Sequence, residues 1–162
     1  MSRKVIFFII ALILWLLLSF NLNYDEFIIG VLASLLSAVI FGGYFIEKPI
    51  KIFQIHRWFW LLIYIPIFAY KCLEANLDVA LRVLHPGMPL KPGIIKIKTN
   101  LKTEIAKTLL ANSITLTPGT MTCEIEGDTL YIHWIWVKEE DEEKAKKLIA
   151  QTFEKYLKRI FE

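Results

Sequence analysis

The chain has 162 residues, enough for one or two small domains. Hydrophobic residues make up 56% of it and mean hydropathy is +0.48, too apolar for an ordinary soluble domain of this size. The net charge of +3 is small and dispersed, which leaves no electrostatic footprint for nucleic acid.

The apolar residues crowd into the first half. "VIFFIIALILWLLLSF" (5–20) and "FIIGVLASLLSAVIFGGYFI" (27–46) contain no charge. A spanning helix needs about 20 apolar residues. The second run reaches that length, and the first does when Ser2 and Asn21 to Tyr24 enter the interface, giving spans over about 5–22 and 27–46. Arg3 and Lys4 make the first run resemble a signal peptide, but no small-residue cleavage site follows it and a second span arrives six residues later, so a retained hairpin is expected. Basic residues flank the hairpin (Arg3, Lys4; Lys48, Lys51, Arg57), and the connecting loop holds only Asp25 and Glu26. Both ends are therefore expected in the cytoplasm. Glu47, directly after the second run, reads as an interfacial charge. Gly30, Ala33, Ser34, Ser37, Ala38, Gly42 and Gly43 form a small-residue stripe that predicts a closely packed helix, either the first span or one from another protein chain.

A third apolar run, Trp58 to Tyr70, is thirteen residues long and contains Pro66. It flows without a break into "KCLEANLDVALRVL". There Lys71, Glu74, Asp78 and Arg82 share one helical face, and Leu73, Leu77, Ala80, Leu81 and Leu84 cover the other. Two readings of 58–84 stand. One is an interfacial amphipathic helix. The other is a third span, which would place the remainder of the chain outside. Of these membrane-proximal charges Glu74 and Asp78 are the candidates for an ion path, with Lys71 and Arg82 as possible partners, although a solvated helix face explains them more simply.

"HPGMPLKPG" (85–93) is a Pro/Gly linker. The expected organisation is a membrane domain over 1–84, this linker, and a cytoplasmic α+β domain over 94–162. Within the latter, "IIKIKT" reads as a strand and "LKTEIAKTLLANSI" as a helix. Met121, Cys123 and Ile125 alternate with Thr122, Glu124 and Glu126. Leu130, Ile132, Trp134 and Trp136 alternate with Tyr131, His133, Ile135 and Val137. Gly127-Asp128 has the composition of a two-residue hairpin loop. A final helix carries a stripe of Ala145, Leu148, Ile149, Phe153, Tyr156, Leu157 and Ile160, giving a β-α-β-β-α sandwich.

"NSITLTPGT" (112–120) raises the question of a site. A phosphate loop needs repeated glycines and a Lys-Ser or Lys-Thr pair, and a filter needs carbonyls facing a pore. Neither is present. Asn112 and Ser113 suit a helix end, "ITLT" suits a strand, and Pro118-Gly119 suits the centre of a type II turn. The titratable inventory offers no catalytic or metal constellation either. His56, His85 and His133 are scattered, and Cys72 and Cys123 have neither metal-ligand spacing nor grounds for a disulfide.

The motif of Asn112, Ser113, Thr115, Thr117, Pro118, Gly119 and Thr120, followed by an acidic strand and "GDTLYIHWIWV", resembles the signature of the E subunits of Mrp-type multi-subunit cation/proton antiporters. The resemblance covers nearly the whole chain. It implies a non-catalytic accessory subunit of the cell membrane with no cofactor, partnered by other membrane subunits and the lipid bilayer, its C-terminal domain cytoplasmic. Ion translocation in such assemblies is attributed to larger subunits. Similar subunits occur in archaeal membrane-bound hydrogenases and sulfur-reducing complexes, and the abundance of Lys, Glu and Ile beside only Gln54 and Gln151 leans that way. The alternative is an independent membrane-anchored module whose cytoplasmic domain binds a soluble partner or ligand.

Overall fold

The computed structural model describes residues 3–19, 23–43 and 54–162. The chain divides into two compact units, Met1–Phe53 and Gln54–Glu162. Ser2, Asn21, Glu47, Lys48 and Lys51 lie outside the described residues.

The first unit is a pair of helices, α1 (Arg3–Ser19) and α2 (Tyr24–Phe41). Asp25 and Glu26 sit in the first turn of α2 instead of in a loop, as the helix dipole favours. The helix ends in the turn at Gly42 and Gly43, and residues 44–46 of the expected span lie outside the described residues. Gly30, Ser34, Ala38 and Gly42 repeat every fourth residue and are buried. A Cβ on Gly30 would stand 2.6 Å from Trp15 Nε1, and one on Gly42 would stand 3.0 Å from Lys4 Cα. The small-residue stripe therefore packs on α1, with backbone and ring in direct contact. The Trp15 indole N–H donates to the Glu26 carbonyl at 3.2 Å and fixes the ring over Gly30. Residues such as Leu17, Leu18, Leu32 and Leu36 remain exposed on the outer surface.

The second unit opens with α3 (Ile55–Leu84), a single 30-residue helix with Pro66 inside it. The third apolar run and the amphipathic segment are thus one element. By length and composition α2 and α3 are able to cross a membrane, and α1 is a shorter apolar helix. Then follow β1 (Gly93–Lys98), α4 (Glu104–Leu116), β2 (Thr120–Glu126), β3 (Thr129–Trp134), α5 (Glu142–Ile149) and α6 (Gln151–Phe161). The sheet is antiparallel throughout with order β1-β3-β2. The fold class is α+β, as the sequence implies.

One face of the sheet is buried. Ile95 and Ile97 of β1 and Leu130, Ile132 and Trp134 of β3 meet Leu110 and Ile114 of α4 and Phe153, Leu157 and Ile160 of α6. Tyr64 of α3 belongs to this same core, and Phe68 packs against it. The Tyr64, Phe68, Phe153 and Tyr156 rings lie 5.9–6.4 Å apart in edge-on and tilted arrangements. This aromatic seam is why α3 falls in the unit beginning at Gln54, whereas composition alone grouped it with the apolar half.

Four local expectations are corrected. "ITLT" is not a strand: Ile114, Thr115 and Leu116 complete α4, because Ile114 is fully buried against the sheet. The inward side of β2 is Thr120 and Thr122, while Met121 and Cys123 are exposed. A bulge between Thr122 and Glu124 then shifts the register. Beyond β3 it is Val137, not Trp136, that enters the core, since the strand ends at Trp134 and Trp136 bridges to Lys91. The final helix is broken at Ala150, whose φ of −112° departs from helical values, and Leu148 is exposed.

The Gly127-Asp128 loop is a two-residue hairpin connection, with Gly127 at φ +59°. Lys107, only 8% exposed along its side chain, reaches across from α4 to this loop. Its ammonium donates to the Gly127 carbonyl at 2.8 Å and pairs with Asp128 Oδ1 at 2.8 Å. The bond from Lys107 holds the Asp128 carboxyl below its usual range, and the same bond raises Lys107 above its own.

These packings can be tested directly. Gly30→Val should force α1 and α2 apart, because its Cβ has no space beside Trp15. A distance between spin labels on the two helices that stays unchanged in this variant would contradict that packing. The Lys107–Asp128 pair should contribute stability above the unfolded carboxylate pKa of about 4 and lose it as pH falls through the depressed folded value. On the basic side its contribution should persist up to the unfolded lysine pKa of about 10.4 and fade as pH rises through the raised folded value. Asp128→Asn should flatten both limbs of the pH–stability curve recorded by thermal unfolding.

Candidate functional site

The C-terminal end of α4 is where the hydroxyl-rich motif lies. A helix leaves its last four carbonyls without intrahelical partners, and where the end is part-buried those carbonyls need donors. Here side-chain hydroxyls supply them. Thr117 Oγ1 donates to Ser113 O at 2.7 Å, and Thr120 Oγ1 lies 2.8 Å from Ile114 O and 3.0 Å from Thr117 O. Further back, Ser113 Oγ donates to Leu109 O at 2.6 Å and Thr122 Oγ1 to Ala111 O at 3.2 Å. Thr115 works in the opposite sense, accepting the Thr122 backbone N–H at 3.1 Å and so joining the helix to the neighbouring strand. Asn112 is exposed.

Between helix and strand the chain turns through Thr117-Pro118-Gly119-Thr120. The Thr120 N–H donates to the Thr117 carbonyl at 3.3 Å, and Gly119 has φ +88°, the geometry a type II turn demands at its third residue. Gly119 is also a point of close approach. A Cβ there would lie 3.0 Å from Ile135 Cγ2 and 3.2 Å from Val79 Cγ2. Val79 belongs to α3, so the motif and the long helix meet.

They meet along most of α3. Tyr64 Oη hydrogen-bonds Ser113 Oγ in a buried position. Because the single Ser113 hydroxyl proton goes to Leu109 O, Tyr64 is the donor, and a relay runs from Tyr64 through Ser113 to the backbone of α4. Cys72 Sγ lies 3.8 Å from Leu116 O. Near the end of α3, Arg82 stands 4.6 Å above the Trp136 ring and also reaches the Pro89 carbonyl at 3.4 Å. At the start, the Arg57 guanidinium donates to the Ile160 carbonyl, and Arg159 covers the Trp60 ring at 4.1 Å. The linker is fastened too, as Lys91 exchanges backbone bonds with Ile135 and Val137.

The four membrane-proximal charges resolve into two pairs. Lys71 and Glu74 form one at 2.7 Å, with Glu74 56% exposed. Arg82 grips Asp78 with two bonds of 3.0 Å; Asp78 is 44% and Arg82 14% exposed, and Lys138 adds a third charge at 3.8 Å from Asp78. The face that the sequence marks as polar is therefore partly turned to the domain, while Leu73, Leu77, Leu81 and Leu84 are exposed.

Elsewhere, Glu154 is buried and accepts from Thr99 Oγ1 and the Asn100 N–H while pairing with Lys146 at 3.3 Å, tying α6 to the end of β1. Among the described residues no group of three or more His, Cys, Asp or Glu could hold a metal ion. Sequence reasoning missed Tyr64, Trp136 and Lys138. Their partners are distant in sequence, and only the burial-prone character of the two aromatics hinted at a role.

Gly119→Val should destabilise the protein by about 1–3 kcal/mol, since it combines strain at positive φ with contact against Val79 and Ile135. Pro118→Ala should cost less, about 1 kcal/mol or below, because it only loosens the unfolded chain. Chemical unfolding of the purified chain in detergent compares them, and equal losses would contradict the turn as described.

Comparison with known proteins agrees with this architecture along its full length. The profile of the family described as Na+/H+ ion antiporter subunit matches residues 8–160. The E subunit of the Na+/H+ antiporter of Bacillus subtilis is 34% identical over 152 residues, covering 90% of each chain. The corresponding E subunit from Alkalihalophilus pseudofirmus is 29% identical over 156 residues, covering 96% of each. Among solved structures, a chain of the membrane-bound sulfane sulfur reductase, an archaeal respiratory membrane complex, is 43% identical with a TM-score of 0.82, covering 99% of this chain and 100% of that one. With its sequence accounted for from end to end by such relatives, the chain belongs to the family of Na+/H+ antiporter E subunits.

Proposed function

We propose that the chain is a structural, non-catalytic member of an Mrp-type cation/proton antiporter module, placed there to support assembly and not to carry ions. The observation behind this reading is the state of its membrane-proximal charges. Ion-carrying acids sit in enclosed, dry paths. Glu74 and Asp78 are instead about half exposed and already paired with Lys71, Arg82 and Lys138. The motif residues Ser113, Thr115, Thr117 and Thr120 likewise spend their hydroxyls on backbone groups of α4 and β2, which supports a structural role for the motif. The 43% identity to a chain of the sulfane sulfur reductase supports a place for this module within a respiratory membrane complex.

Transport and assembly separate scaffold from carrier. In vesicles containing the assembled complex, Glu74→Gln and Asp78→Asn should leave proton or sodium transport proportional to the amount of complex seen on a native gel. The exposed Lys71–Glu74 pair contributes about 0–1 kcal/mol, so Glu74→Gln should leave assembly intact, whereas Asp78→Asn takes the carboxylate from the largely buried Arg82 and should lower assembly and transport together. Intact assembly with transport abolished would make that acid part of the path.

The orientation belongs to the same reading. The basic flanks of the apolar hairpin support a two-span topology with the N-terminus, residues 47–57 and everything from Ile94 onward in the cytoplasm. An impermeant thiol reagent applied outside intact cells should leave a cysteine placed at Lys144 unmodified. Modification there would reverse the assignment.

A further inference from the structure

The long helix has two opposite faces. Arg57, Tyr64 and Arg82 lie on the face turned to the domain, where they meet Ile160, Ser113 and Trp136. On the other face Ile55, Phe59, Leu62, Leu73, Leu77 and Leu84 are exposed. Their spacing keeps them on one side of the helix, a continuous apolar stripe about 45 Å long at 1.5 Å per residue. Tyr70 and Pro66 are exposed within the same band. The charges of Lys71, Glu74 and Asp78 occupy the shoulder between stripe and domain.

We propose that α3 lies in the plane of the membrane with this stripe set into the boundary between headgroups and hydrocarbon, and that it does not cross the bilayer. The first argument is one of length. The domain holds α3 at Arg57, Tyr64 and Arg82, and the outer two are 25 residues or about 37 Å apart along the helix axis. The hydrocarbon core is about 30 Å thick. A spanning α3 would drag its attached domain, with Arg159, Lys138 and Asp78 at the contact, through the hydrocarbon, where each such charge is costly.

The second argument decides between lipid and another protein. Within the hairpin, where α2 packs closely on α1, the contact is made by Gly30, Ser34 and Ala38. The stripe is carried mainly by Ile, Leu and Phe, with Ala69 and Ala80 as the small residues exposed among them. Bulky apolar side chains on one face with charge at the shoulder are the composition of a helix resting in a membrane interface. Pro66 fits the same placement: it stands on the exposed side, where its ring displaces no packing partner.

The inference rests on the membrane location stated under Proposed function, and the test keeps the two apart. Single cysteines are introduced as Phe59→Cys, Leu62→Cys, Leu73→Cys and Leu77→Cys in a Cys72→Ser, Cys123→Ser background, carried in the purified complex in lipid vesicles, and labelled with a nitroxide. Collision with oxygen and with a water-soluble nickel chelate gives the depth of each label. All four should report one shallow depth, about 5–10 Å below the phosphates, while a label at Glu74 stays accessible to nickel. A profile deepening to the bilayer centre between Leu62 and Leu73 would overturn the in-plane placement. Protection from both reagents would show a protein partner and overturn it equally. A label at Leu36 of α2 serves as reference. If Leu36 is deep while the stripe contacts nickel alone, this inference falls and the membrane location stands; if Leu36 too is in water, both fall.

Discussion

A helix that ends against a folded core must have its last carbonyls hydrogen-bonded without help from bulk water. At the end of α4 this requirement shapes the rest of the unit. Thr117, Thr120 and Thr122 turn inward to serve the carbonyls of Ser113, Ile114 and Ala111, so the inner side of β2 is built of threonine where an apolar residue would otherwise stand. The turn at Pro118-Gly119 brings those hydroxyls back toward the helix they serve. The same turn leaves a surface without a Cβ, and Val79 of α3 lies against it. Ser113, already donating to Leu109, keeps an acceptor free for Tyr64. The capping of one helix and the seating of another thus use the same few side chains. A net gain of about 1 kcal/mol per satisfied bond, and a larger penalty for each one left open, makes the arrangement hard to dismantle piecemeal.

What was legible in the sequence was local. Pro118-Gly119 announces its turn because proline fixes φ and glycine accepts +88°. Gly127-Asp128 announces its hairpin, and the Gly30, Ser34, Ala38 repeat announces a helix in contact. The strand assignment of "ITLT" failed because β-branched propensity is weak beside the burial of Ile114 and the side-chain bonds of its neighbours. Tyr64 is one aromatic in an apolar run, and nothing nearby reveals that its partner is 49 residues away. The apolar stripe of α3 was visible, but an apolar face is the same whether it meets protein or lipid. That the opposite face of α3 seats on the domain through Arg57, Tyr64 and Arg82 is visible only in the folded chain.

The candidate charges illustrate a related limit. Spacing placed Lys71, Glu74, Asp78 and Arg82 on one face and suggested pairing, and the pairs form. Spacing could not supply Trp136 beneath Arg82 or Lys138 beside Asp78, which come from after β3. With Arg82 stacked and doubly bonded, the Asp78 pair anchors the far end of α3, whereas Lys71–Glu74 is a surface pair of the kind that salt readily screens.

The three-stranded sheet has two outer strands, β1 and β2, and neither is long or plain. Unpaired strand edges invite a second chain to add on, a hazard that grows in a crowded assembly where partly folded copies meet before they are incorporated. The outer strands here carry opposite deterrents. Lys96 and Lys98 stand exposed on β1, and Glu124 and Glu126 follow the bulge on β2. Like edges repel, and the bulge breaks the flat run that strand addition needs. The irregularity near Cys123, which spoils the simple alternation of the sequence, thereby makes β2 a poor template for a second strand.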